Sequence, residues 1–322
     1  MDNVTIDVHV NGLDQEVLRA EIRRALLRSP RELPTKYFYD DRGSELFERI
    51  CELPEYYQTR TEHMLLSTIA DQLVACTEAE ELVDLGAGAA TKTRVLLTAM
   101  AKANRLRTYI PFDVSEGIVR RVANELVTEY RGLRVHGVIG DFLEHLEHIP
   151  SGEKRLVVLL GGTIGNLRPD AASAFLSQVS AEMTSGEYFL LGVDLIKEAK
   201  RLEAAYNDAA GLTAEFNKNI LHVLRTSLDL DFEPEAFAHV AFYNPSDHRI
   251  EMRLRSTRDQ VLHLQTLDLT LTLAQDEDIL TEVSVKYDRQ KAETVLSRGG
   301  FHMVEWYTDP EQLFGLALAR KA

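Results

Sequence analysis

The sequence predicts an α/β fold: a Rossmann-like open sheet, mostly parallel, with an inserted α+β lobe. Three observations lead there. Between residues 80 and 195, short apolar runs alternate with stretches of helical periodicity, as in strand–helix–strand units. Between 249 and 287 the apolar period changes to two, the mark of antiparallel strands. From 288 a helical stretch and two further apolar runs return.

Taken in order, residues 15–29 read as a helix with Val17, Leu18, Ile22 and Leu26 on one side. The stretch "LPTKYFYDDRGSELFERICELPEYYQTRTEH" (33–63) reads as loops and short helices, rich in aromatics for so polar a segment. A helix over about 60–75 sets Leu65, Leu66, Ile69, Leu73 and Val74 at core spacing. Strands follow at "ELVDL" (81–85), "TYIPFDV" (108–114), within "RVHGVIGDF" (134–142), at "RLVVLLGG" (155–162) and at "EYFLLGVDL" (187–195). Helices near 91–103, 115–130 and 170–182 separate them. The nearly unbroken apolar run at 155–162 is what a strand covered on both faces requires.

Residues 196–245 read as helical material. Alternating strands are expected at 249–256, 261–273 and 279–287, forming an antiparallel sheet with one wet face. A helix near 288–299 precedes "FHMVEWYTD" and "LFGLALAR", which finish the main sheet as a hairpin-like edge. The expected organisation is a main domain of 61–195 with 287–322, and a lobe of 1–60 with 196–286.

The composition narrows the partners. Acidic residues outnumber Lys and Arg by 51 to 36, giving a net charge of -15, and no long basic cluster exists, so nucleic acid is not an expected partner. No window approaches a membrane span, and the polar start does not read as a secretory signal, so no membrane association is expected. Cys51 and Cys76 read as reduced thiols of a cytoplasmic protein, expected to be a monomer. Neither these cysteines nor the ten histidines show a metal-ligand spacing, so no metal is expected.

The segment "ELVDLGAGAATKTRVLLTAM" (81–100) joins a strand to a helix through Gly86 and Gly88. A nicotinamide dinucleotide, a nucleotide phosphate or a methyl donor would suit such a junction. The third glycine of a dinucleotide fingerprint is replaced by Thr91, and the Walker pattern is absent. Asp113 stands at the end of the next strand, placed to accept ribose hydroxyls. Asp141 and Phe142 follow the strand after that, suited to an adenine amine and ring. This set fits S-adenosyl-L-methionine best, since a sulfonium needs no pyrophosphate cradle.

Further along, Glu282 and Ser284 are two apart in a strand-like run and face the same way. A carboxylate beside a hydroxyl can accept from one imidazole nitrogen and donate to the other. Ile250, Met252 and Leu254 offer an apolar face on the neighbouring strand.

Several blocks together, "LPTKYFYDDRGSELFERICELPEYYQTRTE", "ELVDLGAGAATKTRVLL", "IPFDVS", "GDF", "GGTIGNL" and "TEVSVKY", resemble the bacterial L-histidine Nα-methyltransferases of ergothioneine biosynthesis, over about 30–320. The resemblance implies a class I S-adenosylmethionine-dependent methyltransferase sheet with a substrate-binding lobe. It implies three methyl transfers to the α-amino nitrogen of free L-histidine, giving hercynine and S-adenosyl-L-homocysteine. By the same resemblance Gly86, Lys92, Asp113, Asp141 and Phe142 bind the cofactor, with Tyr39 at its boundary with the substrate. Asn166 and Tyr206 hold the amino-acid backbone; Tyr56, Glu282 and Ser284 surround the imidazole; Met252 lines its pocket. Asn166 and Tyr39 are the expected catalytic positions, orienting the amine. The Gly-Ala-Gly-Ala-Ala turn and the "GGT" opening are less polar than in relatives. Competing readings are a related enzyme acting on another amine such as tryptophan, a nicotinamide-dependent oxidoreductase, and a non-catalytic binding protein.

Overall fold

The computed structural model describes residues 3–9 and 15–322. In chain order it begins with β1 (Val4–Val8), α1 (Gln15–Leu26), β2 (Arg31–Glu32), α2 (Asp41–Cys51) and α3 (Tyr57–Thr77). Next come β3 (Glu81–Leu85), α4 (Thr93–Lys102), β4 (Thr108–Asp113), α5 (Glu116–Glu129), β5 (Arg134–Ile139), β6 (Arg155–Leu159), α6 (Pro169–Ala181) and β7 (Tyr188–Asp194). Then α7 (Ala199–Tyr206) and α8 (Leu212–Leu228) lead into β8 (Phe237–Asn244), β9 (Arg249–Ser256), β10 (Gln260–Leu264), β11 (Leu269–Leu273) and β12 (Asp278–Val285). The chain closes with α9 (Arg289–Arg298), β13 (Phe301–Thr308) and β14 (Phe314–Lys321).

One compact unit holds β1, Gln58–Ile196 and Lys286–Ala322. Its sheet runs β1-β5-β4-β3-β6-β7-β14-β13. The strands from β1 to β7 pair in parallel, and β14 and β13 add an antiparallel edge. β3, β4 and β6 are sequestered because helices cover both faces, so Leu82, Val83, Tyr109, Leu156 and Val158 all lose their water. The strand order reverses between β3 and β6, where an open α/β sheet leaves a crevice at its carboxyl edge.

The other unit holds α1 through Tyr57 and Lys197–Val285. Its sheet runs β2-β12-β9-β8, with β2 parallel to β12 and the remaining pairs antiparallel. Helices α7 and α8 pack on β8 and β9. Helix α2 is capped by Asp40, whose Oδ1 accepts from the Gly43 amide at 2.8 Å and from Asn219 Nδ2 at 2.7 Å. Gly43 has to be glycine: a Cβ there would lie 1.6 Å from the Phe38 carbonyl oxygen.

Four sequence expectations need correction. Residues 4–8, assigned to the lobe, form β1 and pair in parallel with β5, because Val4, Ile6 and Val8 alternate and extend the main sheet. Residues 237–244, read within a helical stretch, form β8. The run 261–273, read as one strand, is two strands, β10 and β11; a 3₁₀ turn at Gln265–Leu267 and a left-handed Asp268 fold it back on itself. The wet face expected of 279–287 is missing, since β12 is buried almost throughout, with Asn217 of α8 on Thr281 and Tyr206 of α7 on Ser284.

Candidate functional site

At the carboxyl edge of the first unit, the turn after β3 brings together the residues expected to bind an adenosyl group. Gly86 (φ +75°) and Gly88 (φ +49°) both adopt left-handed backbone, which glycine enters without a Cβ penalty. The Gly86 amide donates to the Phe112 carbonyl at 2.8 Å. The Gly88 amide donates to Asp113 Oδ2 at 2.9 Å, and the Ser115 amide donates to Oδ1 at 3.0 Å. Burial pushes the Asp113 carboxyl up, and those amides pull it back in part.

A Cβ on Gly86 would sit 3.4 Å from the Phe142 ring, whereas one on Gly88 would meet nothing within 4 Å. The turn is thus walled by Phe142 on one side and open at Gly88. Phe142 is itself braced by Phe175, with ring centroids 5.6 Å apart, and Asp141 Oδ1 accepts from the Leu143 amide at 2.9 Å. The Gly86–Gly88 turn thus stands beside an aromatic ring and a buried carboxylate.

Lys92, just ahead of α4, places Nζ 2.5 Å from Glu62 Oε2. Asn166 ends the 3₁₀ turn Thr163–Asn166 after β6, which is preceded by Gly161 and Gly162 in left-handed backbone. It does not cap α6; that position is Arg168, followed by Pro169.

In the second unit, aromatic rings run edge to face from Tyr39 through Phe47 and Tyr56 to Tyr206, with successive centroids 5.7, 6.0 and 6.4 Å apart. Tyr39 also meets Phe216 edge-on at 5.5 Å. Burial holds the Tyr56 phenol far above its ordinary range, with Tyr206, Cys51, Tyr39 and Glu282 adding to the effect. It therefore keeps its proton. In β12, Glu282 lies opposite Met252 and Ser284 opposite Ile250, so a carboxylate and a hydroxyl share a face with two apolar neighbours. Tyr206, grouped with Asn166 by the resemblance, donates its hydroxyl to Ser284 at 2.8 Å.

A relay behind these residues was not foreseen. His239 Nε2 meets the Tyr206 carbonyl at 2.9 Å, and His239 Nδ1 meets Asn217 Nδ2 at 2.8 Å. Asn217 is held in turn, donating to the Arg253 carbonyl at 3.0 Å and accepting from Thr281 Oγ1 at 2.6 Å. Glu62 and the buried Asp84 were missed as well. Both are single acids inside apolar or helical runs, whose partners lie far off in sequence.

Among the described residues no group of three His, Cys, Asp or Glu could hold a metal ion, and no helix is long and apolar enough to cross a membrane.

A family profile described as "Histidine-specific methyltransferase, SAM-dependent" matches residues 18–321. The chain is 46% identical over 304 residues to a histidine N-alpha-methyltransferase of Mycolicibacterium smegmatis, covering 94% of this chain and 95% of that one. It is 43% identical over 304 residues to a protein of the same name from Mycobacterium tuberculosis, with the same coverages. A protein of Neurospora crassa named ergothioneine biosynthesis protein 1 is 29% identical over 317 residues, covering 91% of this chain and 33% of the fungal one.

Proposed function

The chain belongs to the histidine-specific, S-adenosylmethionine-dependent methyltransferases, and from that premise we propose that it places three methyl groups in turn on the α-amino nitrogen of free L-histidine. The product is hercynine, and the reaction is the first step of ergothioneine biosynthesis. The names of its mycobacterial and fungal relatives support this reading. S-adenosylmethionine supplies an electrophilic methyl group and departs as a neutral thioether, so no acid is needed for the leaving group.

The observation that carries the substrate reading is the buried face of β12. Ser284 accepts a hydrogen bond from Tyr206, which fixes its hydroxyl as a donor on its other side. Glu282, on the same face, is an acceptor when ionised. One donor and one acceptor match the two nitrogens of a neutral imidazole, and Met252 and Ile250 supply apolar contact to a flat ring. A Phe or Leu side chain offers no nitrogen to a carboxylate and a hydroxyl, which is how such a pocket discriminates.

Gly86, Gly88, Asp113, Asp141 and Phe142 hold the adenosyl moiety, and Lys92 serves its amino-acid end. Asn166 and Tyr39 orient the α-amine. A chain-terminal amine has a pKa of about 8 and the amine of a free amino acid a higher one, so it is mostly protonated at neutral pH and must lose a proton before each transfer. Orientation of the neutral fraction, with the proton passed to water, meets that need without a dedicated base. The aromatic faces of Tyr39 and Tyr56 accommodate the trimethylammonium product. A cytoplasmic monomer is the proposed form.

The decisive experiment incubates the purified protein with S-adenosylmethionine and a panel of free amino acids and reads products by mass spectrometry. Gain of three methyl groups on histidine alone is expected. Methylation of tryptophan in preference to histidine would overturn the reading. Glu282→Ala is expected to abolish that preference by raising the histidine KM.

A further inference from the structure

We propose that Glu62 is a positioning residue for the methyl-donor site: its buried carboxylate clamps the Lys92 ammonium to the turn after β6, across the reversal in strand order. The proposal rests on the reading that this edge of the sheet takes S-adenosylmethionine.

Glu62 lies near the start of α3, and its side chain is wholly buried. Both oxygens stand 2.9 Å from the Gly161 amide, and Oε2 is 2.5 Å from Lys92 Nζ. The Lys92 side chain remains 22% exposed. The carboxylate thus ties the turn that follows β3, through Lys92, to the turn that follows β6, through Gly161. Those strands are neighbours at the point where the sheet order reverses, and ligands of open α/β sheets sit outside that point.

Two glycines make room for this contact. A Cβ on Gly192, in the interior of β7, would lie 2.3 Å from Glu62 Oε1, and one on Gly161 would lie 3.1 Å from Lys92 Nζ. Glycine weakens a strand interior, so its presence at 192 marks a close approach. The group approaching is the carboxylate of Glu62.

A buried carboxylate is retained only when it is paired and hydrogen-bonded. Glu62 meets both conditions, but tying α3 to the sheet would not require a partly exposed lysine at the mouth of the crevice. An ammonium held from behind by a carboxylate keeps N–H donors for the solvent side. The ligand chemistry that suits it is the carboxylate of an amino-acid-bearing cofactor. Glu62 orients the lysine and offsets its charge; it does not take part in proton transfer.

The test is calorimetric titration of the full chain with S-adenosylhomocysteine, on wild type, Glu62→Gln, Lys92→Met and the double variant. Glutamine keeps the shape and can still accept from Gly161, but it cannot pair with the ammonium. Glu62→Gln is expected to weaken binding by about tenfold or more, and the double variant to bind no worse than the weaker single one, as residues acting as a unit do. Undiminished affinity in Glu62→Gln, or losses that add in the double variant, would overturn the clamp. If Glu62→Gln fails to fold, Glu62→Asp serves, since it keeps the charge but withdraws it by one methylene. Its affinity is expected to fall, and unchanged affinity would count against the clamp equally. Failure of the wild-type chain to bind S-adenosylhomocysteine would instead strike the proposed function.

Discussion

The Tyr206 hydroxyl donates to the Ser284 hydroxyl at 2.8 Å, with both side chains buried. Tyr206 is held at its other end too, since its carbonyl meets His239 Nε2. A residue held through both its hydroxyl and its backbone carbonyl has little freedom to readjust, so the proposed ring-binding face would be set in advance.

Tyr206→Phe and Ser284→Ala each remove one member of this pair. Each is expected to raise the histidine KM roughly five- to twentyfold, on the order of 1–2 kcal/mol, with a smaller effect on kcat. The double variant is expected to lose no more than the worse single one. Steady-state kinetics at saturating S-adenosylmethionine measure this; unchanged KM in both would remove the pair from the substrate site.

Asp113 accepts from two backbone amides through different oxygens. Asparagine can satisfy only one of them and turns an NH2 toward the other. Asp113→Asn is therefore expected to weaken S-adenosylhomocysteine binding nearly as much as Asp113→Ala, by about tenfold or more. Calorimetry showing Asp113→Asn close to wild type would refute the argument.

His239 predicts a pH dependence. The Asn217 amide is oriented by Thr281 and by the Arg253 carbonyl, so it presents N–H to His239 Nδ1. That nitrogen must accept, and protonation would set two donors face to face. Burial lowers the His239 pKa, opposed in part by the Tyr206 carbonyl. Because the folded value lies below the unfolded one, the stabilising contribution is complete above about pH 6.5 and is lost as pH falls through the lowered value. His239→Gln is expected to flatten the decline in Tm between pH 7 and pH 5. A residual slope should persist from His9 and His222, which burial also lowers. An identical slope in the variant would disprove this.

Asp84 acts in the opposite sense. It is buried in β3 and accepts from Thr93 Oγ1 at 2.6 Å and from Tyr109 Oη at 2.9 Å, yet burial outweighs both donors and raises its pKa to about 6. The folded protein therefore holds this proton more tightly than the unfolded chain does. Its stabilising contribution is present below the unfolded value and is lost as pH rises to about 6. Asp84→Asn is expected to be roughly 2–3 kcal/mol more stable than wild type at pH 7.5 and about equal to it near pH 4. Urea unfolding at the two pH values checks this.

The parallel strands from β3 to β7 were legible because burial on both faces makes them apolar runs, and their helices carry a clear period. β1 and β8 were less so. β1 is a five-residue edge strand close to the start, and "FAHVAFYN" alternates weakly because most of β8 is only half-buried. The turn between β10 and β11 is marked only by a one-residue shift in the alternation at Gln265–Thr266, with no Gly or Pro to signal it, and so it escaped.

Asp113 stood out by its place at the end of β4, whereas the Glu282–Ser284 pair, inside β12, was singled out by its two-residue spacing together with the family resemblance. Glu62 sits in the quoted "QTRTE" block, but the amide it accepts from is 99 residues away in the chain. The His239–Asn217 pair likewise joins a strand to a helix. Such side-chain contacts carry no periodic signature.

The antiparallel edge of the first sheet bears on how the chain reaches its native state. β14 pairs with β7, setting Asp194 against Phe314, and the whole of Lys197–Val285 is synthesised between them. During translation β7 emerges with one flank unclosed, and its neighbour arrives only after the intervening helices and strands. Long-range pairing of this kind slows folding. Nascent chains of this protein should therefore expose the unpaired N–H and C=O groups of β7, a template for mispairing, until the closing strand docks.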